Sequence, residues 1–181
     1  MKLNKIMMAA FLVFGSVSVA QAADEGHGSV TFTGSIIEAP CSILPGDIDQ
    51  TVNLGQVSNV ALEKGGTSKP QNFEISLQGC TLSTKKSVTT TFTGMASPSG
   101  NGLLAMTGTA KGASIGITNS DGSVVKLNEK SKPQLLQNGN NTLSYAAYLQ
   151  GDVKGTGEGA VDPKIVPGEF KSVANFTLAY E

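Results

Sequence analysis

Apolar and polar residues alternate one for one in short runs along most of this chain, and a run of that period buries a single face only as a β-strand. Phe73, Ile75 and Leu77 alternate with Glu74, Ser76 and Gln78 just ahead of Cys80. Residues 88–92 are rich in Thr and β-branched side chains, which suit a pleated surface. Ile115 and Ile117 lead into Asn119, Ser120, Asp121 and Gly122, a turn signal, and residues 124–127 follow as the second arm of a hairpin. Residues 142–150 and 170–180 complete the set. Helical signal is confined to residues 57–64, enough for a single turn. Roughly seven strands at short spacing, separated by Gly, Asn, Ser and Pro, predict one all-β sandwich or barrel domain. Residues 151–168 read as a flexible loop ahead of the last strand.

The head of the chain has a different character. Lys2 and Lys5 precede an apolar stretch over residues 6–19, and Ala20-Gln21-Ala22 supplies a small-x-small ending. That is the pattern of a secretory signal peptide, so residues 1–22 are expected to be removed on export. The apolar run is too short to read as a membrane span, and no longer one follows. An exported chain folds in an oxidising compartment, where two lone cysteines pair. Cys41 and Cys80 are the only two, and they are too far apart for a CxxC redox motif. A structural disulfide is expected, and closing a loop of that size stabilises a fold by about 4 kcal/mol in the chain-entropy model.

Composition disfavours catalysis and nucleic-acid binding. The basic residues number 13 and are all Lys, set against 14 acids, which leaves no cationic surplus for a phosphate backbone. The single histidine, His27, lies in a Gly-flanked segment too loose to hold a general base. Gly155, Gly157 and Gly159 superficially suggest a phosphate loop but lack the Lys-Ser/Thr ending. Asp47 and Asp49 fall in a turn region and read as solvated. No metal, cofactor or catalytic constellation is expected.

The two ends of the mature chain carry the cleanest alternation. Val30, Phe32, Gly34 and Ile36 share one face of a run near the new N-terminus. At the other end Phe170, Ala174, Phe176, Leu178 and Tyr180 share a face, with Ser172 the polar exception and Gly168 just upstream. The plain reading of the terminal run is an ordinary core strand. Two strongly patterned strands at opposite termini are also what exchange of strands between chains requires.

With its signal peptide, GSVTFTGSIIEAPCSI around Cys41, LQGC at Cys80 and the ending GEFKSVANFTLAYE, the chain resembles the major-type pilins of the bacterial chaperone–usher pathway, in the P-pilus-like branch. The resemblance implies an incomplete immunoglobulin-like sandwich that lacks its seventh strand and is completed by a donor strand from another chain. It implies a disulfide joining the first two strands, a donor extension over residues 23–35 and a pilin domain over residues 36–181. Val30, Phe32, Gly34 and Ile36 would then be donor residues, with Gly34 at a narrow part of the receiving groove. Gly168, Phe170, Phe176, Leu178 and Tyr180 would form the strand that meets chaperone or donor. The implied partners are a periplasmic pilus chaperone, an outer-membrane usher and further pilus subunits, including copies of this chain. The implied function is a structural subunit of a surface fimbria supporting adhesion. Its rivals are a self-sufficient secreted sandwich that binds carbohydrate or protein, and a small periplasmic hydrolase.

Overall fold

The computed structural model describes residues 28–153 and 162–181. The leader assigned to residues 1–22, His27, and the glycines at 155, 157 and 159 lie outside the described residues. The folded unit runs from Ile37 to Glu181, and residues 28–36 belong to a separate unit.

Ten strands are present among the described residues: β1 (Ser42–Ile43), β2 (Gln71–Cys80), β3 (Ser87–Gly94), β4 (Thr107–Gly108), β5 (Ala113–Asn119), β6 (Val124–Val125), β7 (Gln134–Leu135), β8 (Gly139–Gly151), β9 (Phe170–Lys171) and β10 (Ala174–Tyr180). They form a five-stranded sheet in the order β1-β2-β8-β5-β6 and a three-stranded sheet in the order β10-β3-β7; β4 and β9 pair separately. Every ladder between them is antiparallel. The helix α1 (Asn59–Leu62) falls inside the one segment where the sequence carries a weak helical signal, and Leu62 anchors it in the core.

The core lies between the two sheets. Ile75 and Leu77 of β2, Leu143 of β8 and Val88 of β3 are each only 1% exposed. Ile115 and Ile117 add the inner face of β5. Phe73, Phe92 and Tyr145 pack as an aromatic trio, with ring centroids 5.2–6.2 Å apart in edge-on and stacked arrangements. The Tyr145 hydroxyl is buried there and donates to Thr90 Oγ1 at 2.7 Å, which satisfies the one polar atom of the trio. Cys41 and Cys80 form a disulfide that joins the residue preceding β1 to the last residue of β2.

Three elements depart from the sequence reading. The terminal run is broken at Ser172 and Val173, because Phe170 and Lys171 pair with β4 whereas Ala174 onward pairs with β3. The second arm of the hairpin stops at Val125, since the Leu127 N–H turns away to the Gly102 carbonyl. The alternating run over residues 30–36 forms no strand within its own chain, and Val30, Phe32 and Ile36 are 76%, 90% and 103% exposed.

Candidate functional site: an apolar groove along the terminal strand

Alternation along the terminal run sets which side chains face the core. Phe170, Ser172, Ala174, Phe176, Leu178 and Tyr180 are half-buried, while Lys171, Val173, Asn175 and Thr177 are exposed. The inward row packs against the core without being closed over. Burial pushes the Tyr180 phenol above its ordinary pKa of 10.0, as a neutral group on an apolar face requires.

The hydrogen-bond phase of β10 shows what its other edge offers. Glu181 N–H donates to the Ser87 carbonyl at 2.9 Å, and Ser87 N–H returns the bond to Glu181 at 3.0 Å. In an antiparallel ladder such double-bonded pairs recur at every second position. In the β10–β3 register, Ala179, Thr177 and Asn175 therefore bond to β3. The backbone N–H and C=O groups of Ala174, Phe176, Leu178 and Tyr180 point to the opposite edge. Among the described residues no strand pairs with that edge.

Beside this edge lies a groove. Its deeper part, about 190 Å³, reaches the core between Phe73, Phe92, Ile115, Ile117 and Phe176. It opens into a longer trough of about 1220 Å³ with residues 50–59 on one wall and residues 165–174 on the other. Val52 and Leu54 line both parts and lean half-buried on the core, without belonging to any strand. Two contacts tether that wall: the Asp47 carboxylate accepts the Ser76 N–H at 2.7 Å, and Gln50 Nε2 donates to the Glu74 carbonyl at 2.6 Å.

Of the residues singled out in the sequence, Phe170, Phe176 and Gly168 line the groove. Leu178 and Tyr180 continue the inward row beyond it and pack on the core. Gly168 precedes β9, where a Cβ would fall 2.4 Å from Thr109 Oγ1 and 2.7 Å from the Ala110 nitrogen. Its lack of a side chain lets the chain settle under Thr109 and enter the terminal run at the right height. Ser172, the polar exception, donates its hydroxyl to the Ala105 carbonyl at 2.7 Å. It thereby satisfies a buried acceptor where the chain changes partner from β4 to β3, without leaving a bare hydroxyl in the groove. The wall at Val52 and Leu54 has no counterpart among the sequence expectations, since two apolar residues are too few to set a period.

The groove thus joins an apolar floor to an unpaired backbone edge. It suits an extended segment whose alternate apolar residues enter the floor while its backbone pairs with β10. A sandwich left open in this way defines a subunit completed from outside, in contrast to a binding module that closes its own core.

Comparison with known proteins gives the same class. The fimbrial protein family model matches residues 30–181. The chain is 57% identical over 181 residues to the Fimbria A protein of Serratia marcescens, covering 100% of both chains. It superposes with a TM-score of 0.72 and 33% identity on a subunit from a chaperone–usher pilus whose structure concerns rod uncoiling, covering 87% of this chain and 97% of that one. The P pilus rod subunit gives a TM-score of 0.65 at 32% identity, covering 79% of this chain and 100% of that one. The chain belongs to the fimbrial protein family. It is an exported structural pilin of immunoglobulin-like fold that polymerises with other pilus subunits into a surface fimbria. Among the described residues no helix is long and apolar enough to cross a membrane.

Proposed function

We propose that the groove receives the extension of the next copy of this chain, with Val30, Phe32, Gly34 and Ile36 facing its floor. The observation that carries this reading is the unpaired edge of β10 beside a groove with an apolar floor. The extension is complementary in kind: its alternating apolar residues are exposed in their own chain. Burying each of Val30, Phe32 and Ile36 fully would contribute roughly 1.5–3 kcal/mol, and each new backbone hydrogen bond about 1 kcal/mol. The contact is head-to-tail and does not close on itself, so it extends into a fibre. The domain boundaries proposed with that use are a leader over 1–22, a donor extension over 23–35 and a pilin domain over 36–181, with Ile36, the last donor residue, at the junction.

An open groove and a bare edge invite aggregation before assembly. We infer that a periplasmic chaperone covers the groove first, meeting Phe170, Phe176, Leu178 and Tyr180, and that an outer-membrane usher is where the exchange takes place. The groove's apolar lining and bare edge, and the likeness to a chaperone–usher pilus subunit, support that sequence of partners.

The test is Gly34→Leu. A Cβ built at Gly34 meets no atom within 4 Å in its own chain, so the substitution should leave folding, the disulfide and chaperone binding intact. In a neighbour's groove the added side chain overpacks a tight site, at about 1–3 kcal/mol or more. Fibre formation from purified chaperone–subunit complexes should slow severely or stop. Normal assembly of the variant would remove Gly34 from the donor role.

A further inference from the structure

The disulfide stands between two parts of the chain that a stretched fibre would pull apart. Upstream lies the extension ending at Ile36; downstream lies the groove wall beginning at Asp47. Between Cys41 and that wall the only ladder is β1, with Ser42 opposite Gln78 and Ile43 opposite Leu77. The wall itself is tethered by the Asp47–Ser76 and Gln50–Glu74 hydrogen bonds and by the half-buried Val52 and Leu54. Pulled from one end, these contacts break one after another. Cys80, in contrast, ends β2, which is registered against β8 from Gln71 to Leu77 inside the five-stranded sheet. Cys41 and Cys80 are 3% and 4% exposed.

We propose a mechanical function for this disulfide: it diverts tension from the extension into β2, so that the groove wall gripping the next subunit stays slack. The inference rests on the donor-strand reading above. Tension entering at residue 36 reaches Cys41 before any residue of β1 and crosses the covalent bond to Cys80. Without that bond the same tension runs along residues 42–57 and strips the wall from the core. Each subunit would then loosen its grip on the next in the act of being pulled. A staple elsewhere in the sheet would serve stability equally, but only one upstream of the wall serves this purpose.

The experiment is single-fibre pulling on assembled fibres of the full chain. Fibres carrying Cys41→Ala with Cys80→Ala should rupture at lower force than wild type. They should first show a lengthening of about 50 Å per subunit, the reach of the stripped residues 42–57. Two restapled versions of that double variant separate shunting from stability. Ile43→Cys with Leu77→Cys joins directly opposed residues upstream of the wall and should restore wild-type force and abolish the step. Ser76→Cys with Thr142→Cys staples β2 to β8 off the path and should not. If the double variant does not assemble, the two stapled versions are compared directly. Equal rupture forces and no step in the 76–142 fibre would overturn the proposal, as would double-variant fibres that behave as wild type. Crosslinking from a photoreactive residue at position 32 to a neighbour's β10 reports separately on the donor-strand reading: its absence sinks that reading whatever the force curves show.

Discussion

β5 and β10 are both seven-residue strands of one sandwich, and they are finished to different degrees. All seven residues of β5 are buried. It has β8 on one edge and β6 on the other, and Ile115 and Ile117 face the core. Its outer face is covered as well: the Tyr148 ring lies so close over Gly116 that a Cβ there would fall 2.4 Å away. Below it, Ser114 bonds the Asp152 carboxylate and Ser97 Oγ, which accounts for a buried polar row. In β10 no residue is fully buried, and only the β3 edge is paired. The sandwich is therefore not loosely built throughout. Its incompleteness is local, confined to one edge and the floor beside it, which is where a strand from another chain would fit.

The largest effect that separates the two regions is expected from Phe176→Asp. No Lys lines the deeper part of the groove around Phe176, so a carboxylate there is left without a nearby cation, and burying such a charge is costly enough to block occupation of the groove. Subunit co-purifying with the chaperone should be lost, and periplasmic subunit should fall through proteolysis. Undiminished co-purification would break the assignment of β10 as the receiving strand.

Next in size is Leu143→Ala in β8, a residue 1% exposed and outside the groove lining, which opens a cavity in a finished part of the core and should remove about 2–5 kcal/mol. Because Leu143 does not line the groove, the loss should be the same whether the groove holds the chaperone or a donor strand, read as an equal shift of the denaturation midpoint in both complexes. A loss seen in only one complex would mean that the closed part of the core and the groove are coupled.

A smaller and finer contrast comes from two tyrosines. Burial raises the phenol pKa of both Tyr148, over β5, and Tyr180, on β10. A raised phenol pKa favours the neutral form in the fold, so the associated stability is fully present below the ordinary value of 10.0 and is lost as pH rises through the folded value. Filling the groove should move Tyr180 further up and leave Tyr148 where it is. Spectrophotometric titration of the phenolates in free subunit and in fibres measures this, and a Tyr148 that moves as far as Tyr180 would erase the distinction.

The same contrast explains what the sequence discloses. Alternation marks β2, β3, β5, β8 and the terminal run, because a buried face writes its period into the residues that make it. Export and a lone cysteine pair point to the disulfide. Alternation does not say whether a face is closed by its own chain: Ile115 and Ile117 read no differently from Phe176 and Leu178. What marks the exception is a second clean run, at Val30 to Ile36, with no place in its own sandwich. The two-residue strands β1, β4 and β7 are too short to carry a period. The break at Ser172 is set by which partner each half of the run meets, and the wall at Val52 and Leu54 is formed by tertiary packing around an interval of only a few residues.

The central claim, that another chain's strand pairs with the free edge of β10, is tested most directly by amide hydrogen exchange in assembled fibres. Amides of Asn175, Thr177 and Ala179 bond to β3 and should be protected in every folded form. Amides of Phe176, Leu178 and Tyr180 face the free edge and depend on the incoming strand. The account predicts that in fibres these three are protected as strongly as their odd-numbered neighbours. Fast exchange at Phe176, Leu178 and Tyr180 in fibres, beside protected Asn175, Thr177 and Ala179, would contradict it.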